Sequence, residues 1–207
     1  MDQLLTFFQE CEAAYHSKWG EKASTLVFGD GMTKSPRLML VGEAPGEQEA
    51  LQRKPFVGKA GKNLNEFLAA IGLLREELYI TNVVKIRPSR LSAAGRIVNR
   101  PPSREEIAFF RPWLYREVSA VHPHALVTLG NVALNAFLPN GSTIGSCHGR
   151  WQSITVDHSE GGVNDLPLFA LYHPASVIYN RALAATYQAD LATLRDTLAA
   201  FDSRTDS

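Results

Sequence analysis

Four apolar residues in a row, Leu38-Met39-Leu40-Val41, run straight into Gly42-Glu43-Ala44-Pro45-Gly46-Glu47 and on to Lys54-Pro55-Phe56-Val57-Gly58-Lys59-Ala60-Gly61. A short apolar run bounded by Gly and Pro reads as a strand buried on both faces, and the glycines and prolines after it forbid regular structure until a helical pattern opens near Ala60. The unit is strand, loop, helix. Its loop carries neither the GxGxxG spacing of a dinucleotide site nor the GxxxxGK[ST] of a triphosphate site.

The same alternation continues along the chain. Residues 78–84, 124–130 and 166–172 read as further core strands, with a weaker one at 151–156. Helical stripes are expected at 2–15 (Leu4, Leu5, Phe8, Cys11), at 60–72 (Leu64, Phe67, Leu68, Ile71) and at 183–201 (Tyr187, Leu191, Leu194, Leu198). Ser103 and Glu106 have capping-box spacing and open another helix that contains Pro112. Strands alternating with helices call for a parallel sheet covered on both faces. The expected fold is therefore a three-layer α/β/α sandwich with a mostly parallel four-stranded central sheet. At 207 residues, one domain over 1–201 suffices, with 202–207 expected to fray.

Glu43, Asn82 and His173 each fall at or just beyond the carboxyl end of a strand, where open α/β sheets build their ligand crevices. Phe56, in a Gly/Pro loop rather than on a helix stripe, is placed to stack on a flat ring. Overall charge does not mark a nucleic-acid binder, because 21 basic residues balance 21 acidic ones. Locally it does. Lys85, Arg87, Arg90, Arg96, Arg100 and Arg104 lie in a stretch without one Asp or Glu, read as a long loop suited to phosphates or, more blandly, as a solvated charge run. Two distant cysteines, Cys11 and Cys147, suggest a reducing compartment and cannot alone hold a metal cluster. No run approaches the roughly 20 apolar residues of a membrane span. The expected setting is the cytoplasm, in association with the nucleoid, with no membrane contact.

An amide, an imidazole, a stacking ring and a basic loop together suit a single base drawn out of a nucleic acid. Five segments carry a resemblance that agrees: Gly42-Glu43-Ala44-Pro45-Gly46-Glu47, Pro55-Phe56-Val57-Gly58, Tyr79-Ile80-Thr81-Asn82-Val83-Val84-Lys85, Arg111-Pro112-Trp113-Leu114 and Tyr172-His173-Pro174. In this order, across roughly residues 26–198, they resemble the family 4 uracil-DNA glycosylases. The resemblance implies hydrolysis of the N-glycosidic bond of uracil in DNA, most simply by a monomer. It implies that Gly42, Ala44, Phe56 and Asn82 receive the uracil, and that His173 stabilises its negative charge. Glu43 and Asn99 would face the sugar and the attacking water. Lys85, Arg87, Arg90, Arg96 and Arg100 would contact DNA, as would Ser176, Ile178 and Arg181, with Ile178 or Tyr179 as a wedge in the minor groove. For water activation Glu43, Glu47, Glu49 and Asn99 all stay open, since Ala44 stands where family 1 enzymes carry an Asp.

Family 4 members hold an iron-sulfur cluster on four cysteines, and the matching positions here fall at about Ala14, Ser17, Ile86 and Phe110. No cluster or other cofactor is expected. A related branch traps DNA covalently through a loop histidine; Asn99 stands there, so trapping is not expected. Two other functions fit the same fold: a lesion-binding protein with little catalysis, and a glycosylase for another deaminated base. A metal hydrolase using His122, His124, His148, His158, His173 and Asp157 has no supporting ligand spacing.

Overall fold

The computed structural model describes residues 3–20, 23–138, 141–158 and 161–205, with the side chains of 158, 161, 178, 179 and 199–205 outside that description. Its strands are β1 (Asp30–Gly31), β2 (Met39–Gly42), β3 (Tyr79–Asn82), β4 (Ser89–Leu91), β5 (Ile97–Asn99), β6 (Leu126–Leu129), β7 (Trp151–His158) and β8 (Gly161–Leu171). Its helices are α1 (Gln3–Trp19), α2 (Glu47–Gln52), α3 (Lys59–Ile71), α4 (Arg104–Val121), α5 (Asn131–Phe137), α6 (Ile144–Cys147), α7 (Pro174–Tyr179) and α8 (Ala184–Thr205).

The main sheet runs β1-β3-β2-β6-β8-β7. Its four central strands are the four expected and are mutually parallel, in register Leu40 to Ile80, Leu40 to Val127 and Val127 to Phe169. An antiparallel strand closes each edge, two-residue β1 beside β3 and β7 beside β8, so the sheet has six strands. Sequence pattern exposed the centre because strands buried on both faces are continuously apolar, whereas a two-residue edge pairing leaves no periodicity to detect.

Alternation along each strand divides the core. Met39, Val41, Tyr79, Leu126, Leu168 and Ala170 pack with α1, α4 and α5, while Leu38, Leu40, Ile80, Val127, Leu129 and Phe169 pack with α3 and α8. This is the three-layer α/β/α arrangement. On α1 the inward residues are Leu4, Phe7, Cys11 and Tyr15, not the stripe through Leu5, which is 51% exposed. Helix α8 continues to Thr205, past the expected end at 201; residues 206–207 lie outside the described residues.

The basic stretch is more ordered than a loop. Strands β4 and β5 form an antiparallel hairpin pairing Ser89 with Asn99, Arg90 with Val98 and Leu91 with Ile97. Ser92 and Gly95 turn the chain, with Gly95 at φ +72° donating to the Ser92 carbonyl at 3.0 Å. A glycine takes that left-handed conformation without the cost a Cβ would impose.

Candidate active site

Strands β2, β3 and β8 deliver Gly42, Asn82 and the His173 segment to one rim of the sheet. There they border a cleft of about 280 Å³ lined by Ala44, Glu47, Phe56, Asn82, Asn99 and His173, among others. That volume lies just under the roughly 300–1,000 Å³ of small-ligand sites and suits one ring rather than a dinucleotide.

Gly42 makes the crowding at the floor possible. A Cβ there would lie 2.5 Å from Phe56 Cζ and would strike the Asn82 carboxamide oxygen, so any other residue displaces the ring, the amide or both. Phe56 is buried and sits at φ +52°, an unfavourable backbone region for an aromatic residue. Three features hold it there. Arg75 donates to the carbonyls of Pro55 at 2.6 Å and Phe56 at 3.1 Å, and Gly61 leaves room for the Phe56 carbonyl, which any Cβ would hit. The carboxylate of Glu49 accepts from the backbone N–H groups of Gly46 (3.1 Å), Val57 (3.1 Å) and Gly58 (2.7 Å), tying both walls together.

His173 caps α7, and Pro174 follows at the first helical position, where a missing N–H costs nothing. Its Nδ1 accepts from Ala175 N at 3.2 Å, which assigns the proton of the neutral ring to Nε2. Burial pushes its pKa below the ordinary histidine value, keeping the ring neutral. The Phe56 and His173 rings are nearly parallel, 25° apart in plane with centroids at 6.3 Å. Gly130, at the end of β6, admits this approach, since a Cβ would come within 3.3 Å of His173 Cβ.

Asn99 ends β5 at the cleft. Arg87 donates to its Oδ1 at 2.8 Å and to Glu47 at 3.2 Å, so the Asn99 oxygen is engaged and its amino group is free to donate. Glu43 sits next to Gly42, half-buried, but is not among the residues that line the cleft; burial raises its pKa. Of the four groups open for water activation, Glu49 has both oxygens committed to backbone N–H groups and Asn99 has its oxygen on Arg87. Glu43 and Glu47 keep that possibility.

Two expected DNA contacts are corrected. Lys85 is fully buried, donating to Glu117 at 2.5 Å, to Thr81 Oγ1 at 2.7 Å and to the Asn82 carbonyl at 2.7 Å, so it reaches no phosphate. Glu117 is fully buried too and also accepts from Tyr79 OH at 2.9 Å. Arg100 makes a two-pronged pair with Glu106 (2.7 and 2.8 Å) and donates to Ser89 O, clamping the hairpin base to α4 instead of facing solvent with its charge free. Arg90, Arg96, Ser176 and Arg181 are exposed. The side chains of Ile178 and Tyr179 lie outside the described residues.

Sequence reasoning missed Arg75 and Glu117, and named Glu49 only as a candidate for activating water, not as the carboxylate that ties the two loops together. Only Glu49 left a signal, three residues after Gly46 at the spacing by which an N3 carboxylate reaches back to the cap N–H.

An iron-sulfur cluster does not fit the residues present. Ile86 and Phe110 are buried, and Phe110 packs against Tyr15 and Phe109 with ring centroids 5.6 and 4.9 Å away. Cys11 is buried with its thiol pushed up to about 12, chiefly by desolvation, so it carries no thiolate near neutral pH. Among the described residues no three His, Cys, Asp or Glu side chains gather as a metal site.

A base-sized slot at a topological rim of an α/β/α sheet, with a stacking ring, a buried amide and a neutral imidazole, defines a nucleobase-handling protein. The sequence profile of the Uracil DNA glycosylase superfamily matches residues 28–198, and the chain belongs to that superfamily. It is 39% identical over 168 residues to a type-4 uracil-DNA glycosylase of Archaeoglobus fulgidus, covering 79% of this chain and 77% of that one. It is 31% identical over 203 residues to a type-4 uracil-DNA glycosylase of Saccharolobus solfataricus, covering 96% and 88%. The crystal structure of wild-type Pedobacter heparinus SMUG2 shares the fold, with TM-score 0.50 and 14% identity over 96% of this chain and 83% of that one.

Proposed function

We propose that this chain is a uracil-DNA glycosylase of base excision repair, which everts uracil from DNA and hydrolyses its N-glycosidic bond to leave an abasic site. The observation that carries the reading is the meeting of Phe56, Asn82 and His173 in one cleft. The Phe56 ring stacks on the everted base. Asn82 supplies a carbonyl acceptor for uracil N3–H and an amino donor for O4, a pattern that the N4 amine of cytosine reverses.

When the C1′–N1 bond breaks, its electron pair leaves with uracil as an anion and the sugar becomes an oxocarbenium ion. His173 donates from Nε2–H to the uracil oxygen where negative charge grows, already neutral and aimed before reaction. Water then bonds to C1′ and gives up a proton, for which Glu43 and Glu47 are the nearby carboxylates. Asn99 donates its amino group toward the sugar or that water. Exposed Arg90, Arg96 and Arg181, with Ser176, approach the DNA backbone, while Arg87, half-buried and bonded to Asn99 and Glu47, stands beside the cleft.

The test is a uracil-containing oligonucleotide incubated with the protein and then treated with alkali, which cleaves abasic sites. Strand scission is expected with the parent chain and its loss, or a shift in base preference, with Asn82→Asp. No scission by the parent would favour a lesion-binding protein. Scission at other deaminated bases in place of uracil would reassign the substrate.

The same reading takes the working form as a cofactor-free monomer in the compartment that holds the chromosome. No helix among the described residues is long and apolar enough to cross a membrane. The aromatic packing of Phe110 and the neutral Cys11 thiol support the absence of a cluster. Freshly purified protein should show no visible absorbance and no bound iron; stoichiometric iron would overturn the expectation.

A further inference from the structure

Hairpin β4–β5 presents two different faces. Residues directly opposed across a ladder, and those two positions along, lie on the same side. Leu91 and Ile97 therefore share a side with Ser89 and Asn99, while Arg90 lies on the other. Asn99 lines the cleft, so the Leu91/Ile97 side continues the cleft wall outward.

Those two aliphatic side chains are 69% and 62% exposed. A directly opposed aliphatic pair held in water at the mouth of a cleft is an unfilled contact surface. The hairpin that carries it is braced at both ends. Ser92 N donates to Arg96 O at 2.8 Å at the tip, and at the base Arg100 N donates to Pro88 O at 3.0 Å while its guanidinium grips Glu106.

We propose that the Leu91/Ile97 face is an apolar wedge for DNA, packing against the base that neighbours the everted nucleotide. The proposal rests on the reading of the cleft as a uracil site. Two observations select nucleic acid as the occupant: the face is continuous with the cleft through Asn99, and the hairpin bears Arg90 and Arg96, both exposed, with no acid from Lys85 to Arg104. An aliphatic tip bordered by cations matches a base stack bordered by phosphates, and apolar side chains inserted at a base step partly unstack it. A two-stranded ribbon also has the width a major groove admits. By packing against that neighbouring base the face holds the opened step apart, so it acts where a stack must be opened. Paired uracil gains from it; uracil in a flexible single strand does not.

The full chain and the Leu91→Ser/Ile97→Ser variant are compared in single-turnover cleavage of one uracil. The substrates are an oligonucleotide duplex with adenine opposite, and the same strand alone, each with 2-aminopurine beside the uracil to report unstacking. Cleavage of the duplex should fall by at least about tenfold, with loss of the 2-aminopurine brightening, and cleavage of the single strand should stay within about twofold. Leu91→Met/Ile97→Met should keep the parent's behaviour. Equal rates for parent and serine variant on both substrates would overturn the wedge, as would an equal loss on both. A variant that cleaves normally but sediments as a smaller species would assign the face to a second copy instead. A parent that cleaves neither substrate would overturn the uracil reading itself, a result separable from all of these.

Discussion

Replacing His173 by alanine should slow uracil release by about two to three orders of magnitude, the usual loss on removing one donor aimed at a developing anion. The geometry makes the loss fall on the chemical step. Nδ1 is already engaged by Ala175 N, so the ring's remaining group, Nε2–H, acts as a donor rather than as a base. Stopped single-turnover cleavage should show the rate constant falling while DNA affinity changes little. Because burial lowers the pKa of His173, the neutral donor persists as pH falls through the ordinary imidazole value of 6.5. Cleavage attributable to this group should therefore hold through that pH and decline only below it, where a proton on Nδ1 removes the acceptor that Ala175 N–H uses to aim the ring. Alanine turnover equal to the parent's would remove His173 from the chemistry.

Replacing Lys85 by methionine should destabilise the fold by about 3–5 kcal/mol, the cost of leaving one member of a fully buried pair uncompensated. Glu117 would keep Tyr79 and Thr81 as donors but lose the cation it is paired with, deep in the apolar layer beneath β3. For a chain of this size each kcal/mol shifts the melting temperature by about 2–4 °C, so a drop of roughly 6–20 °C is expected. The double variant Lys85→Met/Glu117→Met should recover most of the loss, since apolar replacements of similar volume remove the stranded charge along with its partner. A single variant that melts within about 2 °C of the parent would show that the pair carries no such cost. Lys85 also donates to the Asn82 main-chain carbonyl, so surviving single-variant protein offers a direct view of how firmly that amide is held.

Lys85 shows why charge in a sequence is a poor guide to surface. It belongs to an acid-free run of six cations, and its position beside Arg87 gave no sign that it turns inward. Its partner Glu117 lies on α4, 32 residues away, and only the packing of that helix across β3 puts the two charges at 2.5 Å. Arg100 is similar on a shorter scale, since its pairing with Glu106 depends on where the hairpin meets α4. The hairpin itself was read as a loop because three-residue strands of mixed polarity carry no dependable period.

What the sequence determined by itself was the central sheet and the order of the site around it. Runs such as Leu38–Val41 and Leu166–Tyr172 are apolar enough to be buried on both faces whatever surrounds them, and the turn chemistry after them is local. Asn82 and His173 were therefore legible as rim residues; Glu43 was read with them, yet it sits beside the rim without lining the cleft. The tertiary structure alone decided how those residues are held: Glu49 bridging two loops, Arg75 and Gly61 seating Phe56 at φ +52°, the His173 tautomer, and the inward turn of Lys85. Each depends on atoms far apart in the chain coming within hydrogen-bonding or contact distance, and such distances are set by packing between layers, which no local pattern encodes.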